Sequence, residues 1–218
     1  MHIKTSRLKV VLKGNAIEAE SFRRIAHEVD LSRHTREERE VIARIIHSCA
    51  DPSIASTLNF STNSIHAAID LLRNSAPIIT DTQMVRHALY AENIICALDH
   101  QNKSDGAKTR SQLGIEGAAK QYPYGAIFVI GCAPTALMSL LEMADHEEIV
   151  PGAIIALPVG YVGAAESKAK LSMSRYDFLT NSGARGGSAM TAAAFNAIAR
   201  MAADQYSFES ATAGTDKS

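Results

Sequence analysis

The sequence predicts a doubly wound α/β domain built on a mainly parallel sheet. From about Ala76 onward, short runs rich in Ile and Val alternate with longer segments of helical character, and each run is nearly continuous in apolar residues. Alternation of this kind marks parallel strands joined by helices, and strands without a polar face belong to a sheet covered on both sides. The length of 218 residues, with 46% hydrophobic and 21% charged residues, matches one globular domain with its own core.

The segment up to about residue 75 reads as helical. Met1 to Lys13 mixes basic and apolar types and lacks the uninterrupted apolar stretch of a secretory signal. Phe22, Ile25, Ala26 and Val29 then recur at helical spacing. A helix from Thr35 to about Ala50 follows, opened by a capping box in which Thr35 and Glu38 each satisfy an orphan backbone donor. Val41, Ile42, Ile45, Ile46 and Cys49 share one face of it, while Glu40, Arg44 and His47 share the other. Spacing alone leaves that second face either a solvated polar surface or the seat of a functional Arg–His pair. Ile65, Ala68, Ile69 and Leu72 repeat the helical spacing after the cap candidates Ser61 and Ser64.

Five βα repeats occupy residues 76–204. Strands are predicted at Pro77–Thr80, Asn93–Leu98, Ala126–Ile130, Ala153–Leu157 and Tyr176–Leu179, with helices after Asp81, across Gly106–Lys120, and after Pro134, Gly163 and Gly187. Residues 1–204 therefore form one domain, and the Ser/Thr/Ala/Gly-rich stretch 205–218 is predicted to be a flexible tail.

Composition excludes several functions. With 22 basic and 23 acidic residues, 6% aromatics and no Trp, the chain offers neither the field nor the stacking platforms of a nucleic-acid binder. The longest apolar stretches are cut by Pro134 and by Pro158, Gly160 and Gly163, so no membrane span is predicted. Cys49, Cys96 and Cys132 are widely spaced and sit in apolar runs, the usage of reduced thiols in a cytoplasmic protein.

In an open α/β sheet, ligands bind beyond the carboxyl ends of the strands. Those points here carry Thr80-Asp81-Thr82, Gly131-Cys132-Ala133-Pro134-Thr135, Pro158 to Gly163 and Gly183 to Ser188. Glycines, helix N-termini and the Arg185 guanidinium suit such a rim to anions, although the glycines also fit plain tight turns. Nucleotide fingerprints are missing: no G-x-G-x-x-G follows the first strand, and Gly183–Ser188 is not a P-loop. His27-Glu28 and His146-Glu147 begin zinc-protease motifs whose second histidines are replaced by Leu31 and Val150, and no metal-ligand spacing emerges. His47 remains as the titratable group in a defined setting, and an imidazole gives or accepts a proton near neutrality.

Seven segments, in order, resemble one family. Ile17-Glu18 with Ser21-Phe22, Arg44-Ile45-Ile46-His47, Asp81-Thr82-Gln83-Met84-Val85, Thr109-Arg110-Ser111, Ala133-Pro134-Thr135-Ala136-Leu137, Pro158 through Lys168 and Gly186-Gly187-Ser188-Ala189 together look like the precorrin-8X methylmutase family of cobalamin biosynthesis. The resemblance spans about Ile17 to Ala203. It implies a flavodoxin-like three-layer α/β/α fold, a homodimer with shared active sites, and migration of a methyl group from C11 to C12 of a corrin precursor. It implies no cofactor and no metal, with hand-over of the product to the next pathway enzyme.

His47 is then the catalytic residue, donating a proton or hydrogen bond to the macrocycle, with Ser21 and Arg44 in contact with substrate. Asp81, Thr82, Met84, Arg110, Pro134, Thr135, Gly160, Gly163, Lys168, Arg185 and Ser188 complete the candidate substrate-binding set. The chain departs from the family pattern at Cys132, usually Asn, which removes a polar cap, and at Ala184, where many members carry a basic residue. A corrinoid carrier without catalysis and a nucleotide-binding α/β enzyme are the rival readings.

Overall fold

The computed structural model describes residues 3–101 and 106–213, with side chains from Ala16 onward. Helix α1 (Ile3–Glu28) precedes α2 (Arg36–Cys49), strand β1 (Leu58–Phe60) and α3 (Ser64–Arg73). Then come β2 (Ile78–Thr80), α4 (Gln83–Ala88), β3 (Ile94–Cys96), α5 (Arg110–Gln121), β4 (Ile127–Ile130) and α6 (Pro134–Asp145). The chain closes with β5 (Ala153–Ala156), α7 (Ala164–Ser172), β6 (Phe178–Asn181), α8 (Ser188–Ala202) and α9 (Ser207–Thr212).

The sheet order is β1-β6-β5-β4-β2-β3, parallel throughout except for β1, which runs antiparallel to β6. Counted from β2, the five parallel strands follow the 2-1-3-4-5 order of a doubly wound sheet. Successive strand residues serve opposite faces, as the two-residue period of a strand requires. Ile127, Val129, Ile155 and Leu179 join the core beneath α2, α3 and α8, while Phe128, Ile130, Ile154 and Phe178 join the core beneath α5, α6 and α7. Helices α3 and α8 lie against the sheet, and α2 packs on α8.

The sheet has six strands, not five. β1 escapes the pattern because three residues, Leu58-Asn59-Phe60, are too few to show a period, and its pairing partner lies far along the chain. The last strand runs over Phe178–Asn181 rather than Tyr176–Leu179: Thr180 and Asn181 are polar but fully buried, and the Thr180 hydroxyl donates to the Ala156 carbonyl at 2.6 Å. Residues 97–100 turn into a short 3₁₀ segment instead of extending β3.

Two further expectations are corrected together. The 205–218 stretch is not simply a flexible tail, because α9 docks within it; residues 214–218 lie outside the described residues. Its anchor is Glu40, assigned by periodicity to the polar face of α2 yet only 5% exposed. The Glu40 carboxylate accepts hydrogen bonds from the backbone N–H groups of Ser207, Phe208 and Glu209 at 3.0, 2.9 and 2.9 Å, which satisfies the orphan donors at the start of α9.

Candidate active site

Helix α2 begins as predicted, with the Thr35–Glu38 capping box fully formed. Its second face is a clamp rather than a solvated surface. Glu40, Arg44 and His47 stand one turn apart, and each holds a different neighbour. Glu40 takes α9, while Arg44 donates to both carboxylate oxygens of Glu18 on α1, at 2.8 and 3.1 Å. His47 Nδ1 lies 2.8 Å from Ser21 Oγ, also on α1. The Arg44 guanidinium sits 4.8 Å over the ring of Phe22, which in turn is 5.7 Å from the imidazole.

These contacts set the charge state of the cluster. The hydrogen bonds from Arg44 hold the Glu18 carboxyl below the usual carboxylate range, against the opposing effect of burial. Arg200 of α8 reaches the same carboxylate at 3.5 Å, so two guanidinium groups share one anion. Arg44, expected to meet substrate, pairs with Glu18; its side chain is 13% exposed and lines the same depression as His47. Ser21 occupies Nδ1 of His47 and leaves Nε2 without a partner among the described residues. The imidazole borders a depression of about 320 Å³ together with Glu18, Tyr90, Arg200 and, from the first turns of α8, Ala189 and Ala193.

The strand ends carry the other candidates, none of which lines this depression. Asp81, at the end of β2, is fully buried and points inward: its carboxylate accepts from the N–H groups of Gly131, Cys132 and Ala133 at 3.3, 2.7 and 2.7 Å. It caps the loop before α6, so the polar group absent at Cys132 is supplied from the neighbouring strand. Burial pushes the Asp81 carboxyl up, opposed by those three donors. Asp81 is therefore a loop cap and not an open substrate contact.

Lys168 is corrected in the same way. It is fully buried, and its ammonium donates to Asn181 Oδ1 at 3.1 Å and to the Arg185 carbonyl at 2.6 Å, pinning the β6–α8 loop from behind. Its place beside Ala164, Ser167 and Leu171 on the buried face of α7 was readable from spacing. Arg185 faces out but pairs with Asp51, just past the end of α2, and reaches Ser53 Oγ at 3.2 Å. That ion pair ties the rim to the helix that carries His47.

The remaining candidates lie along the rim. Thr82 caps α4 and also meets Cys132 Sγ at 3.3 Å; Met84, 66% exposed, follows it. Pro134 opens α6, and Thr135 meets the Thr109 cap of α5 at 3.0 Å, which sets Arg110 beside it with its Nε on Gln101. Gly163 has φ +79°, a left-handed turn that lets α7 start, and Gly160 donates its N–H to the Ala184 carbonyl at 3.1 Å. Ser188 begins α8, whose N-terminus carries no side-chain cap.

Sequence reasoning missed three participants. Glu18 lay in a quoted motif without a role. Arg200 carries no local signal. Asn196, polar in an alanine-rich helix, was legible: it accepts from Tyr90 N–H at 2.7 Å and donates to the Ala88 carbonyl at 2.9 Å, fixing the chain after α4 against α8. Among the described residues no group of three His, Cys, Asp or Glu side chains is placed to hold a metal ion.

Fold and site define an α/β enzyme that sets an oriented imidazole beside a rim of helix N-termini, without a nucleotide loop. The chain belongs to the precorrin-8X methylmutase family of isomerases, whose family model matches residues 16–201. It is 39% identical over 199 residues to a precorrin-8X methylmutase from Sinorhizobium sp., covering 86% of this chain and 94% of that one. A cobalt-precorrin-8 methylmutase from Priestia megaterium is 33% identical, covering 96% and 97%. The crystal structure of a precorrin-8X methylmutase from Thermus thermophilus superposes with a TM-score of 0.76 at 30% identity, covering 87% of this chain and 98% of that one.

Proposed function

We propose that the chain moves a methyl group from C11 to C12 of precorrin-8X or cobalt-precorrin-8, giving hydrogenobyrinic or cobyrinic acid in cobalamin biosynthesis. The single observation that carries this reading is His47, held by Ser21, at the edge of the depression, in a chain whose family model spans residues 16–201. The C11–CH₃ bond breaks as the C12–CH₃ bond forms, and the double bonds of the ring rearrange. His47, through Nε2, protonates or hydrogen-bonds the conjugated system as electron density builds up and takes the proton back afterwards. General acid catalysis of this kind contributes about 10²–10⁴ in rate.

Substrate carboxylates meet Arg110, Thr135 and the uncapped first turn of α8 at Ser188, with Gly160 and Gly163 letting the ring approach the backbone. The 2-1-3-4-5 strand order supports a flavodoxin-like frame for this rim. Exposed Ile17, Met84, Tyr90, Tyr161 and Val162 support a homodimer in which a second subunit covers the macrocycle. Three free cysteines, and the absence among the described residues of a helix long and apolar enough to cross a membrane, support a cytoplasmic enzyme that hands its product to the next one.

Incubation of the purified protein with precorrin-8X, followed by absorption and chromatography, tests the reading. The expected result is conversion by the wild type, with His47→Ala binding product but losing most turnover. Wild-type protein that binds both tetrapyrroles and converts neither would instead be a carrier. Stronger thermal stabilisation by ATP, FMN or NAD than by a corrinoid would mark a nucleotide enzyme.

A further inference from the structure

Helix α9 lies beyond residues 16–201, which the family model matches, yet it reaches the support of the imidazole. A helix of six residues does not stand alone in water, so α9 exists through its contacts. Three anchors hold it. Glu40 accepts from its first backbone N–H groups; Arg36 pairs with Glu209 and stacks 3.7 Å over the Tyr206 ring; Arg200 donates to Ser207 Oγ at 2.9 Å. What α9 delivers is Phe208, 6% exposed, whose ring meets the Phe22 ring edge-on at 5.9 Å and 74°. Phe22, 1% exposed, also meets the imidazole, at 5.7 Å and 59°.

On the reading of His47 as the acid, we infer that Phe208 is a positioning residue for His47, acting through Phe22. Ser21 precedes Phe22 on α1, so the seat of the Phe22 ring fixes how α1 is turned and where Ser21 Oγ stands. A displacement of about 1 Å takes a 2.8 Å contact out of hydrogen-bond range. Close-packed rings transmit such a displacement rather than absorb it. Removing Phe208 leaves Phe22 free to sink toward the vacated space, drawing Ser21 away from Nδ1 and letting the imidazole swing. The carboxylate contacts proposed above at Arg110, Thr135 and Ser188 lie on other elements, so binding of the macrocycle is expected to change less than turnover.

Kinetics and nitrogen NMR on full-length Phe208→Ala, Phe208→Leu and Glu40→Gln test the inference, each measured below its melting transition. Phe208→Ala is expected to lower kcat by about ten- to a hundredfold with KM within about twofold, because only the acid is misplaced. It is also expected to shift the His47 Nδ1 resonance. Phe208→Leu refills the space and restores most of kcat, while Glu40→Gln, which loosens α9 and keeps both rings, moves both readouts in the same direction as Phe208→Ala by less. Should Phe208→Ala not fold, the other two variants decide. Wild-type kcat with an unshifted Nδ1 resonance, or a loss confined to KM, overturns the inference. Full turnover by His47→Ala overturns the reading of His47 instead, and the resonance still reports whether Phe208 sets the ring.

Discussion

Ser21 Oγ and His47 Nδ1 stand 2.8 Å apart, joining two helices across 26 positions of sequence. A hydroxyl both donates and accepts, so this bond survives a change of imidazole protonation while leaving Nε2 free of it. Ser21→Ala removes the bond and little else. A fall in kcat of about tenfold is expected, with thermal stability within a few degrees of wild type. Unchanged kcat, measured on the converted macrocycle, would show that the imidazole needs no holder.

Glu18 and Arg44 give a second, pH-dependent consequence. The guanidinium holds the Glu18 carboxyl below its unfolded value of about 4.3, so this contribution to stability is complete above that pH and is lost as pH falls through the lower native value. Glu18→Gln is expected to cost about 1–3 kcal/mol at pH 7, the worth of hydrogen bonds to a charged group, in urea unfolding. The gap to wild type then closes as the pH is brought below 4. A gap constant from pH 7 to 3 would mean the ion pair contributes nothing through its charge.

What was legible divides by range. The α2 capping box and the five parallel strands are written in neighbouring residues, where period and cap chemistry are local. β1 and α9 are not, because three residues and six residues are stable only against partners far along the chain. The motifs named His47 and Ser21 separately, and their contact across α2 and α1 is supplied by the fold. Asp81 was placed at the right end of the sheet and turned the wrong way, since a charged residue at a strand end reads as facing ligand until the inward donors are known, and Lys168, taken from its motif, is turned inward from α7 by Asn181 and the Arg185 carbonyl. Arg185 stood at the rim as expected, with a partner, Asp51, that only the fold supplies.

The buried Lys168 ammonium donates to Asn181 Oδ1 and the Arg185 carbonyl, with no carboxylate partner among the described residues, and burial pulls its pKa down to about 8. Unfolded lysine titrates near 10.4, so between pH 8 and about 10.4 the unfolded chain binds more protons than the native one. Stability from this group therefore rises with pH across that window, and below pH 8 the fold carries the full cost of the buried charge. Lys168→Met lacks this slope. In urea unfolding from pH 7 to 10, the wild type is expected to gain stability relative to Lys168→Met as pH rises; parallel profiles would contradict a buried, charged lysine.

Gly186 tests how tightly the rim is joined to α2. A Cβ there would lie 2.1 Å from the Leu157 carbonyl oxygen and 2.8 Å from that of Pro158, both backbone atoms with little freedom to move. The same approach lets Gly187 N–H donate to Leu157 O at 2.7 Å and Gly160 N–H to Ala184 O at 3.1 Å, so the loops after β5 and β6 act as one. Gly186→Ala has to lift the second loop off the first, carrying Arg185 away from Asp51 and loosening the end of α2. A loss of about 1–3 kcal/mol and a raised KM are expected. Gly183→Ala, in a left-handed conformation at φ +80° with open space around it, costs only its backbone strain of about 1–2 kcal/mol and leaves KM near wild type. Equal KM values for the two variants would show that substrate does not depend on the close contact between the two loops.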